Sequence, residues 1–205
     1  MKVLIESQYF PNLAYFNVLS RANEVIVDVH EHYEKQTFRN RTVINGANGS
    51  LNLSIPVQHH HPKMVMNEVQ VDFRQKWVNT HWRAIQSAYG KAPFFDYYAD
   101  YFKDIVYSGA DNLLSYNKSI LSLCLKLLQL DTKLSYSDNY FETVPNDFED
   151  YRSVIHPKKK QGNMAGFEPK VYTQIFGTDF VPNLSVLDVL FCEGPNALEF
   201  VKSAS

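Results

Sequence analysis

Lys2-Val3-Leu4-Ile5-Glu6-Ser7-Gln8-Tyr9-Phe10-Pro11-Asn12-Leu13-Ala14-Tyr15-Phe16-Asn17-Val18-Leu19-Ser20-Arg21-Ala22-Asn23-Glu24-Val25-Ile26-Val27-Asp28-Val29-His30 decides the class of fold. Lys2 to Glu6 is a short apolar run, Asn12 to Ala22 has helical length and pattern, and Glu24 to His30 is rich in β-branched residues, so the stretch reads strand, helix, strand. Two strands joined through a helical crossover run parallel. Both must therefore end on one edge of the sheet, which brings Gln8, His30 and Glu31 near one another. Open α/β sheets place ligands at that edge.

Beyond it, Arg41 to Asn45 and Ser50 to Val57 flank Ala47-Asn48-Gly49, whose Asn-Gly pair tolerates positive φ and predicts a tight hairpin. Leu51, Leu53, Ile55 and Val57 should alternate inward, and Glu68 to Phe73 should form a further strand. From there helices dominate: Lys76 to Tyr89 with Val78, Trp82, Ile85 and Tyr89 on one stripe, Asp96 to Ile105 with Tyr98, Tyr101, Phe102 and Ile105 on one side, Ser119 to Leu130, and Ser185 to Phe191. Asp138 to Gly166 is polar and reads as a surface loop or lid. The expected class is α/β: a mixed sheet starting with a parallel βαβ unit plus a β-hairpin, followed by a mostly helical C-terminal half. The 205 residues suffice for one domain, with a sheet part over 1–75 and a helical part over 76–205 carrying the polar loop 138–166.

Charge and cysteine usage narrow the function classes. A net charge of -2 supplies no general field for nucleic acid or an anionic membrane, leaving only a local basic patch such as Lys158-Lys159-Lys160 for such a role. The 2 cysteines, Cys124 and Cys192, sit among apolar residues outside any CxxC pair, the usage of a reducing compartment, so a cytoplasmic protein is expected. The opening apolar run is too short for a signal peptide, and no stretch approaches the roughly 20 apolar residues of a membrane span.

Several residues have side chains suited to chemistry. Lys35, Arg39 and Arg41 cluster between the βαβ edge and the hairpin, and guanidinium forks fit phosphate or carboxylate, so a sugar nucleotide is a fitting ligand; a solvated, salt-bridged strand is the alternative on spacing alone. Asn40 between them can serve a ligand hydroxyl or hold a turn. His30 and His81 are acid/base candidates, with Glu31 able to orient or charge one of them. Trp77 lies one turn before His81, so the indole and imidazole share a face that could receive a sugar ring; a histidine hydrogen-bonded in an aromatic core is the commoner arrangement. His59-His60-His61 lacks a carboxylate or cysteine at zinc spacing, so no metal site is expected. Cys124 reads as a core residue, Ser7 as a weak nucleophile candidate with His30 as base, and no glycine-rich phosphate loop or nucleophile elbow is present.

Three stretches carry a resemblance to the WbqC-like family. Gln8-Tyr9-Phe10-Pro11 with Tyr15-Phe16 resembles the family's opening H-Q-P-x-Y-x-P motif, with Ser7 where many members have His. His30-Glu31-His32-Tyr33-Glu34-Lys35-Gln36-Thr37-Phe38-Arg39-Asn40-Arg41 is similar to the branch written H-E-x-Y-x-K-Q-[ST]-[YF]-R-N-R, and lacks the acidic pair of other members. Trp77 through His81-Trp82 to Tyr89-Gly90-Lys91-Ala92-Pro93-Phe94-Phe95 resembles W-x-x-x-H…Y-x-x-x-P-[YF]-[FY], and Phe180 to Asn196 resembles the family's ending.

The resemblance implies a shared fold and a role near bacterial surface-polysaccharide biosynthesis, O-antigen included, without supplying a reaction or cofactor. On that footing the leading expectation is a transferase moving a small group on a sugar nucleotide or amino sugar. His30, Glu31 and His81 would be catalytic, and Gln8, Lys35, Arg39, Asn40, Arg41, Trp77 and Tyr89 would bind ligand. The competing expectation is a non-catalytic partner that holds a glycan precursor or a pathway enzyme.

Overall fold

The computed structural model describes residues 1–58, 61, 63–159 and 164–202. The opening stretch folds as expected into β1 (Lys2–Glu6), α1 (Leu13–Arg21) and β2 (Glu24–Asp28), with β1 and β2 parallel in the register Lys2 to Glu24 through Glu6 to Asp28. Asn12 caps α1 by accepting from the Tyr15 N–H, satisfying one of the donors a helix start leaves free. Leu13 to Leu19 are all buried, so α1 lies inside the protein. Each of its large apolar side chains contributes about 1.5–3 kcal/mol of burial.

The hairpin forms as β3 (Arg41–Gly46) and β4 (Gly49–Ser54) in a separate antiparallel sheet. Its turn differs from the Asn-Gly expectation in detail: only Gly49 takes positive φ, at 98°, and Asn48 does not. The left-handed step is thus left to the residue that has no Cβ to oppose it. Leu53 and Ile55 point inward as expected, but Leu51 near the tip overshoots the core and stays 44% exposed.

The helices are α2 (Trp77–Tyr89), α3 (Phe95–Val106), α4 (Leu113–Leu127), α5 (Val186–Glu193) and α6 (Ala197–Val201). α4 starts and ends earlier than the expected 119–130, because Asn112 caps it by accepting from Ser115 N–H. In α3 the buried face is Phe95, Ala99, Phe102 and Val106, and Tyr101 faces outward.

Two expectations are corrected. Glu68 to Phe73 is no sheet strand: a short 3-10 turn over Met66–Glu68 precedes isolated bridges from Val71 to Val57 and from Gln70 to Asn112, although Val69 and Val71 are buried as alternation required. The polar segment 138–166 is not wholly a surface loop, since it contributes β6 (Phe148–Asp150), which pairs in parallel with β1. With β5 (Lys133–Tyr136) beside β2, the main sheet has the order β5-β2-β1-β6, every pair parallel. The class stands as α/β, a parallel sheet begun by a βαβ unit plus an antiparallel hairpin, with helices in the C-terminal half.

The stretch Gln8-Tyr9-Phe10-Pro11 is clasped between hairpin and tail. Thr42 Oγ1 donates to the Phe10 carbonyl at 2.8 Å, Val186 N–H to the Pro11 carbonyl at 2.9 Å, and Ser185 N–H to the Val43 carbonyl at 2.8 Å. The first and last family-like stretches therefore meet in space. No helix among the described residues is long and apolar enough to cross a membrane.

Candidate functional site at the strand edge

All four parallel strands end on one edge, and each delivers a polar side chain there: Glu6 ends β1, Asp28 ends β2, Ser137 follows β5, and Arg152 with Ser153 follow β6. The order in which strands join the sheet reverses at β1, with β2 and β5 on one side and β6 on the other. Loops diverge at such a reversal and leave a crevice. Here the crevice is a cavity of about 370 Å³ lined by Glu31, His32, Tyr33, Glu34, Arg39, Tyr140, Arg152 and Ser153.

Glu31 and Arg39 form its floor. Arg39 donates from Nε to Glu31 Oε1 at 2.7 Å and from Nη2 to Oε2 at 2.6 Å, and both residues are buried. The remaining guanidinium hydrogens go to Thr37 Oγ1 at 3.3 Å and Ser153 Oγ at 3.3 Å, with Glu34 at 3.7 Å. Burial pushes the Glu31 carboxyl up to about 7; Arg39 pulls it down, and Glu6 and Asp28 push it up again. A carboxyl in that range exchanges protons near neutral pH.

Arg152 closes the other side, donating from Nη1 to Asp28 Oδ2 at 2.8 Å and from Nη2 to Asp150 Oδ2 at 2.9 Å. Asp28 also accepts from Ser137 Oγ at 3.0 Å. Ser153 holds φ 60°, strained for a residue with a side chain, and gives its N–H to Glu6 Oε2 at 3.0 Å. Gln8 gives its amide to Glu6 Oε1 at 2.7 Å, leaving Gln8 Oε1 buried without a partner among the described residues. His32 and Tyr140 stack with ring centroids 5.9 Å apart and planes 16° apart, and Arg152 lies over the Tyr140 ring at 5.6 Å. The wall is aromatic, the floor charged.

The sequence model of the WbqC-like protein family matches residues 6–163 and 158–200, which carries both the strand edge and the clasp. The chain belongs to the WbqC-like protein family. This WbqC-like protein is also 25% identical over 227 aligned positions to the Mycobacterium tuberculosis (strain ATCC 25618 / H37Rv) protein named "Uncharacterized protein Rv1507c", covering 97% of the chain and 96% of that relative. No solved structure matches the chain.

The structure gathers some of the sequence's candidates and separates others. Gln8, Glu31 and Arg39 come together at the strand edge. His30 lies beside them, but its Nδ1 pairs with Ser137 Oγ at 3.2 Å and its ring is not among the cavity's lining. Lys35 is exposed on the same loop, and Arg41 stands on the hairpin, donating from Nε to Ser54 Oγ at 3.2 Å. Asn40 holds the chain, donating to the Ile55 carbonyl at 2.7 Å.

His81, Trp77 and Tyr89 lie apart from this cavity. His81 Nδ1 meets Tyr9 Oη at 3.0 Å and packs edge-on against Trp77 at 5.0 Å, while Trp77 packs in turn against Tyr116. The indole is largely buried in this aromatic cluster, yet with His81 it lines a second cavity of about 410 Å³ under the hairpin, with Leu53, Ser54 and Thr80. Tyr89 is buried and its hydroxyl accepts from the Asn45 N–H at 3.4 Å. α2 thus places His81 under the hairpin, apart from Glu31 and Arg39 at the strand edge, whereas Arg41 and His81 both meet Ser54.

Burial holds the His81 imidazole down to about 4, against a backbone hydrogen bond to Ser54 that raises it. The unfolded chain then takes up the proton first, near 6.5, so His81 costs nothing above that pH and destabilises the fold as pH falls toward about 4. Stability should drop by about 2 kcal/mol between about pH 7 and 5 from this residue. Urea unfolding of a His81→Gln variant should lack that part of the slope, and an unchanged slope would refute the assignment.

Sequence reading missed Glu6, Asp28, Tyr140, Arg152 and Ser153. Asp28 and Glu6 carried a signal, as the last residues of the two strands expected to share an edge. Arg152 and Ser153 carried none, because their strand is only Phe148–Asp150. Among the described residues no group of three or more His, Cys, Asp or Glu side chains is arranged to hold a metal ion; His59 and His60 lie outside the described residues, and His61 is exposed. Of the lysine run, Lys158 and Lys159 are exposed and Lys160 lies outside the described residues. Cys124 and Cys192 are buried free thiols, and burial pushes Cys192 up to about 12, which leaves no thiolate for catalysis.

Proposed function

We propose that this WbqC-like protein is a cytoplasmic transferase of bacterial surface-polysaccharide biosynthesis, acting as one domain and moving a small group on a sugar nucleotide or amino sugar held at the strand edge. One observation carries the reading: Glu31, buried yet lining the cavity, stands where four parallel strands converge, opposite the His32–Tyr140 wall. A sugar ring lies against an aromatic face through its C–H surface and offers hydroxyls to charged groups around it. Glu31 is placed to take the proton of a sugar hydroxyl or amine as that atom bonds to the incoming group.

Arg39 then positions Glu31 and does not bind phosphate, because its fork is occupied. Among the described residues no carboxylate lies within ion-pair distance of Lys35 or Arg41, so of the three basic candidates in this stretch these two remain for the anionic part of a precursor.

Thermal melting with a panel of sugar nucleotides and acyl or aminoacyl donors tests this, since a ligand that binds only the folded state raises the melting point. One sugar nucleotide should raise it, and Tyr140→Ala should weaken that ligand by about tenfold, the order of one lost stacking contact. Tyr140 is 49% exposed, so its removal leaves the fold intact. A flat panel would overturn the transferase reading in favour of a non-catalytic partner. That alternative draws on the exposed rings of Tyr97 and Tyr101, 72% and 57% exposed one turn apart on α3.

A further inference from the structure

The hairpin leaves one sheet edge open. Ile55 N–H donates to the Asn40 carbonyl at 2.8 Å, and in the register Arg41 to Ser54 through Gly46 to Gly49 this makes Thr42–Leu53 and Ile44–Leu51 hydrogen-bonded rungs. On the alternate rungs the main chain turns outward. β3 has its outer side covered: Asn45 N–H donates to Tyr89 Oη at 3.4 Å, and the Val43 carbonyl accepts from Ser185 N–H at 2.8 Å. On β4 the outward groups belong to Ser50, Asn52 and Ser54, and no main-chain hydrogen bond from elsewhere in the described residues reaches them. β4 also carries no charge and no proline, the devices that usually blunt an open edge.

That edge borders a groove. The cavity of about 410 Å³ under the hairpin is lined by residues 51–54 of β4 and by Gln75, Lys76, Trp77, Thr80, His81 and Ala84. Successive side chains of a strand face opposite ways, so four residues in a row border one space only along the strand's edge. His81 of α2 meets the Ser54 backbone, which sets the outward groups on the groove. A further cavity of about 290 Å³ at the hairpin turn shares Leu51 and Ala84 with the first and continues along Ser87 and Ala88. α2 thus keeps only small side chains beside this half of the groove, and Leu51 is left 44% exposed in it. The 6 residues of β4 span about 20 Å at about 3.4 Å each, room for one extended segment of similar length.

Charge along the groove is one-sided. Lys76 lines the Ser54 end, Arg41 donates to the Ser54 hydroxyl at the same end, and no Asp or Glu lines either cavity or stands in the first turn of α2. We propose that the groove takes the tail of a partner protein, an extended peptide with a free C-terminal carboxylate that adds to β4 as a third strand. Its main chain pairs with Ser50, Asn52 and Ser54, its apolar side chains lie against Leu51 and Ala84, and its carboxylate meets Lys76. Because β4 ends at the cationic end, the peptide runs parallel to it. The site is separate from the strand-edge cavity, and its failure would leave the reading of that cavity untouched.

The test is retention by the full chain of a degenerate library of amino-capped hexapeptides with free C-terminal carboxylates, followed by calorimetric titration of the retained members and of their C-terminal amides. The carboxylates should bind about tenfold more tightly than the amides, and Lys76→Gln, an exposed change, should remove most of that gap. Hydrogen exchange followed by NMR should show the Leu51 and Leu53 N–H groups protected in the free chain, and those of Ser50 and Asn52 protected only once peptide is added. Asn52→Pro deletes an outward donor and spares every rung to β3, so binding should be lost with the Leu51 and Leu53 protection intact. If that protection is lost as well, N-methylation of the peptide's own main chain makes the equivalent deletion from the other side and should abolish binding. No retained peptide, equal binding of the C-terminal amides, or binding that leaves the Ser50 and Asn52 N–H groups exchanging freely overturns the proposal. So does a dimer in sedimentation that protects those groups without peptide, which would give the edge to a second copy of the chain.

Discussion

Replacing Arg39 with alanine is expected to destabilise the fold by about 3–5 kcal/mol, the cost of leaving one member of a buried ion pair without its partner. Glu31 and Arg39 are 5% and 2% exposed and joined by two hydrogen bonds at 2.7 and 2.6 Å. Without the guanidinium, the Glu31 carboxylate would face Glu6 and Asp28 in a medium that cannot screen them. Its escape is to take a proton. The loss should therefore shrink as pH falls and the carboxyl becomes neutral. Removing the charge by the double change Glu31→Gln with Arg39→Met should cost less than Arg39→Ala alone, since no charge is then stranded. Denaturant unfolding of the two variants at neutral and mildly acidic pH checks both statements. A single-variant loss under about 1 kcal/mol, of the size seen for surface pairs, would mean that solvent reaches the pair and that Arg39 does not hold Glu31 in place.

That pair also shows where sequence reading stops. Glu31 and Arg39 were both legible as functional candidates, eight positions apart in the most specific family-like stretch, but their pairing was not. A guanidinium fork fits a ligand phosphate and a neighbouring carboxylate with the same geometry, and spacing along a loop does not say which is closer. The β1-α1-β2 unit was legible because apolar period and length both change at its junctions. β5 and β6 were not, being edge strands of four and three residues with no buried position between them. Since β6 delivers Arg152 and Ser153, half of the strand edge was hidden with it. The position of His81 relative to Glu31 and Arg39 was illegible for a different reason: one helical turn from Trp77 fixes a shared face, but not what that face packs against.

Changing Gly194 to alanine should destabilise the protein by about 3–5 kcal/mol through two separable causes, backbone strain and overpacking. Gly194 ends α5 with φ 54° and ψ -121°, a combination open to glycine and strained for any residue with a Cβ. A Cβ there would also stand 2.5 Å from Cγ and 2.6 Å from Cε1 of Phe94, and against Cδ1 as well. Cγ is the root of that ring, so rotation about the Cβ–Cγ bond gives no relief, and the Phe94 N–H is tied to the Phe191 carbonyl at 3.0 Å. Gly109 is the internal control: it has φ 71°, and a methyl group added to it would meet nothing within 4 Å, so Gly109→Ala carries the strain alone, about 1–2 kcal/mol. Adding Phe94→Ala to Gly194→Ala should recover the overpacking part, leaving the strain. Thermal unfolding of the set reads the difference, and a Gly194→Ala loss no larger than that of Gly109→Ala would refute the close approach. The consequence reaches the strand edge, because α5 begins at the Val186 N–H bound to Pro11, and Pro11 ends the segment that carries Gln8 to Glu6. Displacing α5 loosens the clasp that sets where β1 delivers its carboxylate.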